Sequence, residues 1–412
     1  MAKRQRAFAN LPTGDTRSGK LTLRISLIPE SVAEEDFLGI LESYVNENTP
    51  YEEKTATRNT IILWSYASTA TSADSGFCVA TVTFREIPSV LLHSQSIDLQ
   101  GAEEPIRVLV DSHFIGLTPL NSPLGEVTVD IIAVTGLAGH AFGSWKSRNT
   151  AAMWLRDFLP EHLPTARILT YGYDSKLHKS DSNASIRDFS GRFLETLKTA
   201  RAREREKYRP MIFIGHSLGG LVIKQALVMA ARGNKEDRQI FLTCYGLLLF
   251  GVPNRGLHIQ ALASMVKGQP NSILVNDLDT TSKCLHHLHQ EFCDHFKFED
   301  SPIVSIYETK LTRTVVESPE HGVWERTGPL VLMVPEASAT YAGPTEKTYN
   351  QFSIDADHSN IVKFSDRANQ DYLNIRQRIL GFVEEAPDVI KKRLAASIQC
   401  KKPKSKSYVS TC

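Results

Sequence analysis

The chain has 412 residues, 42% of them hydrophobic, 23% charged and 8% aromatic, a globular composition that excludes wholesale disorder, collagen-like repeats and coiled coil. Its 47 Lys and Arg stand against 46 Asp and Glu. That balance argues against a dedicated nucleic-acid binder, which carries a strong basic excess.

Residues 1–20 are basic and hold no apolar segment, so they read as a tail and not as a secretory signal. Acidic residues are scarce there, as in a mitochondrial presequence, but the amphipathic spacing is poor. The run Gly14 to Lys20 nearly matches a P-loop. Leu21 stands where Ser or Thr should bind magnesium, and a strand pattern follows, so the match is a coincidence.

From position 21, LTLRISLIP alternates like a half-buried strand. Ser31 and Glu34 have capping-box spacing, followed by Phe37, Ile40, Leu41 and Tyr44 on one helical stripe. TIILWSYAS and FCVATVTF are strand-like. The β-α-β-β order predicts a small α+β, ferredoxin-like domain over 21–106. GFCVATVTF lacks the basic and glycine positions of an RNA-recognition signature, so Phe77 and Phe84 are expected in packing. Residues 107–126, with LTPLNSPLG, read as a linker.

Beyond position 127 strands alternate with helices. VTVDIIAVTG, ARILTYGY, MIFIGHS, YGLLLFGVP and PIVSIYET are strand-like. LGGLVIKQALVMAAR, YLNIRQRILGFVEEA and the stretch from Ile186 to Arg203 are helical. Near-continuous apolar strands between helices mean a mostly parallel sheet covered on both faces. A doubly wound α/β domain is expected over 127–385. Residues 386–412, with Lys401, Lys402, Lys404 and Lys406, would form a basic tail able to touch a membrane surface. No apolar run reaches the ~18 residues of a spanning helix. The six cysteines form no CxxC pair and read as thiols of a reducing compartment. The location expected is cytoplasmic, with mitochondrial or endoplasmic-reticulum membrane association as the variant.

Gly215-His216-Ser217-Leu218-Gly219 lies where a strand meets a helix. This is the G-x-S-x-G nucleophile elbow in its required context. The tight turn lifts the serine oxygen above the sheet at a helix N-terminus, where the Leu218 amide can receive an oxyanion. A second donor usually follows an earlier strand, and the Leu137 amide in Thr135–His140 has that place. The base must follow the serine, and His358, in the polar loop DADHSNIVKF, has the right position. The acid should close a late strand. Glu308 at the end of PIVSIYET does so, with Glu336, Asp355 and Asp357 as competitors. Cys284, His286, His287, His289, Cys293 and His295 form a metal-like cluster by composition. They fall on one amphipathic helix, whereas zinc normally draws ligands from two elements, so no metal is expected.

VDIIAVTGLAGHAFGSW, RILTYGYDS, FIGHSLGGLVIKQAL and LFGVPNRG resemble the lipase-like α/β-hydrolase domain of the serine-active-site-containing protein family. The resemblance covers about residues 107–385. Fungal versions often stand at the front of NOD-like receptor proteins, and some have a small α+β region before the domain. The resemblance implies an α/β-hydrolase fold and an esterase or lipase, with links to phospholipid handling or intracellular sensing in some relatives. It carries Ser217 as nucleophile, His358 as base and Glu308 as acid. One departure is Thr135, where the family usually has His.

Two functions follow as expectations. The first is hydrolysis of a carboxylic, lipid or acyl, ester through an acyl-enzyme, without metal or organic cofactor and without nucleic acid. The second is a signalling module of the same fold with little turnover, meeting a protein partner through its N-terminal domain.

Overall fold

The computed structural model describes residues 22–50, 61–69, 76–92, 94–101, 104–318 and 324–399. The expectations for residues 1–20, including the P-loop-like run, and for the lysines at 401 to 406 lie outside them. Among the described residues no helix is long and apolar enough to cross a membrane.

The small domain begins with β1 (Thr22–Pro29), α1 (Glu34–Asn48), β2 (Ile61–Ser68) and β3 (Phe77–Phe84). Two further strands follow, β4 (Ser96–Gln100) and β5 (Pro105–Asp111). All pair antiparallel in the order β2-β3-β1-β5-β4. In β1 a bulge with Leu27 at φ 62 shifts the alternation, so that Ile28 joins Leu23 and Ile25 in the core. Helix α1 covers that face with Phe37, Leu41 and Val45. Phe84 is fully buried there, and Phe77 is half-buried at the strand end.

Three expectations need correction. The helix begins at Glu34 with Ala33 extended at its cap and no capping side chain, so Ser31 forms no capping box. Glu34, Glu35 and Asp36 in the first turn oppose the helix dipole in its place. Where a ferredoxin-like plan has its second helix, the chain makes only the four-residue turn Ser89–Leu92. Finally, 107–126 is no linker. Its first residues complete β5, and β6 (Gly116–Pro119) enters the large sheet beside β8 (Ala166–Gly172). Pro119 is tolerated because β6 is an edge strand.

The large sheet adds β7 (Val129–Val134), β9 (Met211–His216), β10 (Cys244–Phe250), β11 (Ile303–Glu308) and β12 (Gln351–Ile354). Its order is β12-β11-β10-β9-β7-β8-β6, with every pair parallel except β6 with β8. Alternate residues of each strand supply two cores. Phe213 and Leu247 pack on the side of α2 (Ile186–Ala200), α3 (Leu218–Arg232), α4 (Lys235–Thr243) and α5 (Lys283–His295). Ile212 and Leu248 pack on the opposite side with α6 (Gln370–Gln399). The sheet is thus covered on both faces, as its apolar strands require. Within α5, Leu285, Leu288 and Phe292 are buried, which is the apolar stripe of the Cys/His-rich run.

The tail expected from 386 is in part helix. Helix α6 passes through Pro387, which costs one backbone hydrogen bond. Buried Ala386 and Ile390, with Arg393 donating to the carbonyls of Leu242 and Cys244, hold the later turns.

Buried Asp130 at the base of β7 accepts from Arg167, Arg201 and Arg209. Burial pushes its carboxyl up, but the three guanidinium groups outweigh this and hold it at about 2. The folded value lies below the ordinary 3.8. The stability it contributes is therefore present above about pH 4 and lost as pH falls toward 2. Asp130→Asn should cost about 3–5 kcal/mol, because three cations lose their carboxylate. Urea unfolding at pH 7 checks this; a loss under about 1 kcal/mol would remove Asp130 as the hub of the sheet base.

Candidate active site

Strand β9 runs into α3 through Ser217, which has φ 51 and ψ −126. That is a strained conformation for a residue with a side chain. Gly219 makes the turn sterically feasible, because a Cβ there would sit 2.3 Å from the Val134 carbonyl oxygen. The serine is 5% exposed and lines a cavity of about 960 Å³.

His358 lies on the turn after β12 and brings Nε2 to 2.9 Å from Ser217 Oγ. Its Nδ1 is 2.6 Å from Glu308 Oε2 at the end of β11. A carboxylate at Nδ1 keeps the proton there and leaves the Nε2 lone pair to accept from the serine hydroxyl. Glu308 is 2% exposed, and its other oxygen accepts the Val334 N–H at 3.1 Å.

The competing acids lie elsewhere. Glu336 is exposed at the start of the short helix Glu336–Ala339. Asp355 pairs with Lys310 and accepts from Thr309. Asp357 accepts from the Ser359 and Asn360 amides, and so shapes the turn that presents His358.

His216 serves the same turn. Burial and the neighbouring His358 hold it at about 3, so its imidazole is neutral. Its Nε2–H donates to the His358 carbonyl at 2.9 Å. Sequence reading leaves His216 as an elbow residue only; its contact lies 142 positions away.

The loop after β7 passes directly over the nucleophile, since a Cβ on Gly136 would be 2.8 Å from Ser217 Cβ. Thr135 donates from Oγ1 to Ser144 Oγ at 2.6 Å. Its carbonyl accepts from Tyr173 Oη, and the Ala138 N–H donates to the Ser175 carbonyl. Among the described residues, neither the Leu137 nor the Leu218 N–H is taken by an internal hydrogen bond. Leu218 directly follows Ser217, and Leu137 follows Gly136 on the loop that crosses it.

The cavity wall is apolar at Leu137, Leu177, Leu257, Leu262, Met265 and Met333. Part of it comes from residues 309–318 and 324–334 between β11 and β12. These form two small antiparallel pairs, Thr312–Arg313 with Leu330–Val331 and Val316–Glu317 with Trp324–Glu325. Val315 and Trp324 of this excursion pack on a satellite cluster of Leu177, Met265, Val266 and Val275. Its Arg313 and Arg326 also line the cavity. No short-range pattern marks this cover, since its partners lie in other loops.

No family model matches the chain. Protein SERAC1 of Danio rerio is 26% identical over 287 residues, 63% of this chain and 39% of that protein. Protein SERAC1 of Homo sapiens is 24% identical over 229 residues, 48% and 34% respectively. The chain therefore spans less than two fifths of either relative. Among solved structures, phospholipase PlaB from Legionella pneumophila in complex with thio-NAD matches with a TM-score of 0.43 and 15% identity, over 69% of this chain and 65% of that one. Lipase BlEst2 of Bacillus licheniformis in mature form matches with a TM-score of 0.40 and 14% identity, over 64% and 97%. The chain is similar to the SERAC1 proteins at a distance. Its own sheet order, two helix layers and strand–turn–helix at Ser217 carry the α/β-hydrolase fold.

Proposed function

We propose that the protein is a serine hydrolase of carboxylic esters. The observation that carries this is the hydrogen-bonded chain Ser217–His358–Glu308, opening onto a cavity with a largely apolar wall. Ser217 Oγ attacks the ester carbonyl carbon as its proton passes to His358 Nε2. Negative charge develops on the carbonyl oxygen, which the Leu137 and Leu218 N–H groups receive. The C–O bond to the alcohol breaks, and His358 gives its proton to the departing oxygen. Water, deprotonated by His358, then attacks the acyl-enzyme and releases the acid and Ser217. Glu308 stays ionised throughout, orienting the imidazole and stabilising its cationic form. The apolar wall favours a lipid or other acyl chain. No step draws on a metal or an organic cofactor.

A fluorophosphonate probe tests the reading, because it reacts only with an activated serine in this setting. Wild type should be labelled and Ser217→Ala should not. Folded wild type that takes no label and cleaves no p-nitrophenyl ester would leave the signalling-module reading in its place.

A further inference from the structure

The small domain reaches the loop that carries Leu137. Arg24, on β1, donates from Nε to Asp111 Oδ2 at 2.7 Å, and from Nη1 to the Ile115 carbonyl at 2.9 Å and to Thr118 Oγ1 at 3.0 Å. Asp111 in turn accepts the His113 and Phe114 amides. One guanidinium therefore pins the crossing between the domains, residues 111–118, at three points. Within it Phe114 is fully buried with φ 54, and the Arg24 guanidinium lies 5.6 Å from its ring centre. This crossing presses on the oxyanion loop, for the Phe114 ring packs on His140 at 5.3 Å and on Phe142 at 5.4 Å.

His140 makes the join specific. Its Nε2 is 2.6 Å from the Ser112 carbonyl, which can only accept, so the proton sits on Nε2. Nδ1 is then bare, and it accepts the Phe142 and Gly143 amides at 3.2 and 2.9 Å. The His140 N–H donates to Ser144 Oγ, the same oxygen that Thr135 engages. A single neutral imidazole thus fastens the far side of the loop 135–144 to the crossing. Burial favours the neutral ring by lowering its pKa below the ordinary value. From the other side, Lys363, just after His358, donates to the carbonyls of Gly143, Ser144 and Lys146. The loop is clamped between the base's own turn and the small domain.

We infer that the small domain is a working part of the hydrolase: Arg24 and His140 are positioning residues that hold the Leu137 amide in place through the 111–118 crossing. The inference rests on the ester-hydrolase reading above. An oxyanion donor acts only in the transition state, so misplacing it lowers kcat and leaves substrate binding largely intact.

The test uses the full chain, a p-nitrophenyl ester and a fluorophosphonate probe. Arg24→Gln removes the charged three-point pin. His140→Asn keeps an acceptor near the Phe142 and Gly143 amides but loses the Ser112 contact. Each should lower kcat by about 10- to 100-fold with KM within about threefold, and slow phosphonylation by a similar factor. Arg24→Lys should recover part of the loss. Arg107→Ala, which removes an exposed ion pair with Asp98 on the β4–β5 hairpin, should run at the wild-type rate. Melting curves give the folded fraction used to normalise each rate. Wild-type kcat per folded molecule in both Arg24→Gln and His140→Asn overturns the inference while leaving the ester-hydrolase reading intact. Inactive, unlabelled wild type overturns both.

Discussion

Replacing Ser217 by Ala should lower kcat for ester hydrolysis by roughly 10⁴- to 10⁶-fold, the scale at which a serine nucleophile and its base act as one unit. The geometry gives the reason. Ser217 Oγ is the atom within reach of His358 Nε2, so on the proposed mechanism its removal leaves only substrate binding and the oxyanion donors. Residual catalysis of about 10³ over water is expected from these alone. A Ser217→Ala, His358→Ala double variant should be no slower than the single one, because a base without a nucleophile has no proton to take. Independent losses that multiply would contradict the single hydrogen-bonded chain. Retention of more than a tenth of wild-type kcat by Ser217→Ala would sink the assignment. The same variant bears on stability through a different link. Ser217 holds φ 51, a conformation that costs on the order of 1–3 kcal/mol for a residue with a side chain. Ala keeps that strain, so the melting temperature should move little while activity vanishes.

Local patterns carried the elements whose constraints are local. The elbow was legible because Gly215, Ser217 and Gly219 stand at fixed spacing between an apolar strand and an apolar helix. The expectations for Leu137 and Glu308 rest on the rule that sites gather at strand ends. The boundary at 107–126 was not legible. There β5 depends on β1 and β4, and β6 on β8, about 50 residues away in sequence, while Pro119 and Pro123 read as breakers. The end of α6 was misplaced for a related reason: Pro387 reads as a stop, but Ile390 and Arg393 find partners on distant strands. The wall segments at 309–318 and 324–334 and the supports of the loop after β7, Tyr173, Ser175 and Lys363, are likewise tertiary. Of the proposed triad only Ser217 is marked by a motif, and His358 meets it from 141 positions away. The residues that aim them are distributed along the chain and meet only on folding.

Glu308→Gln should lower kcat by about 10⁴-fold with the fold intact, the loss expected when a carboxylate–imidazole pair becomes an amide–imidazole pair. Gln is nearly isosteric, and its carbonyl oxygen can still accept the Val334 N–H that Oε1 takes now. Its NH₂ then faces His358 Nδ1, where the carboxylate oxygen lies at 2.6 Å. A donor there makes Nδ1 an acceptor and shifts the ring proton to Nε2. That nitrogen then presents a hydrogen to Ser217 Oγ at 2.9 Å and can no longer take the serine's proton. The imidazolium formed during attack also loses its anionic partner in a site where Glu308 is 2% exposed and water does not screen the loss. Both effects act on the transition state, so KM should change little. Glu336→Gln is the control: Glu336 is exposed at the start of a short helix and should leave kcat within about twofold. Proton spectra of His358 in the two variants would separate the causes, with the Nδ1–H signal present in Glu336→Gln and absent in Glu308→Gln. If Glu308→Gln turns over near the wild-type rate, or Glu336→Gln loses as much, the acid belongs elsewhere and the hydrogen bond to Glu308 is only structural.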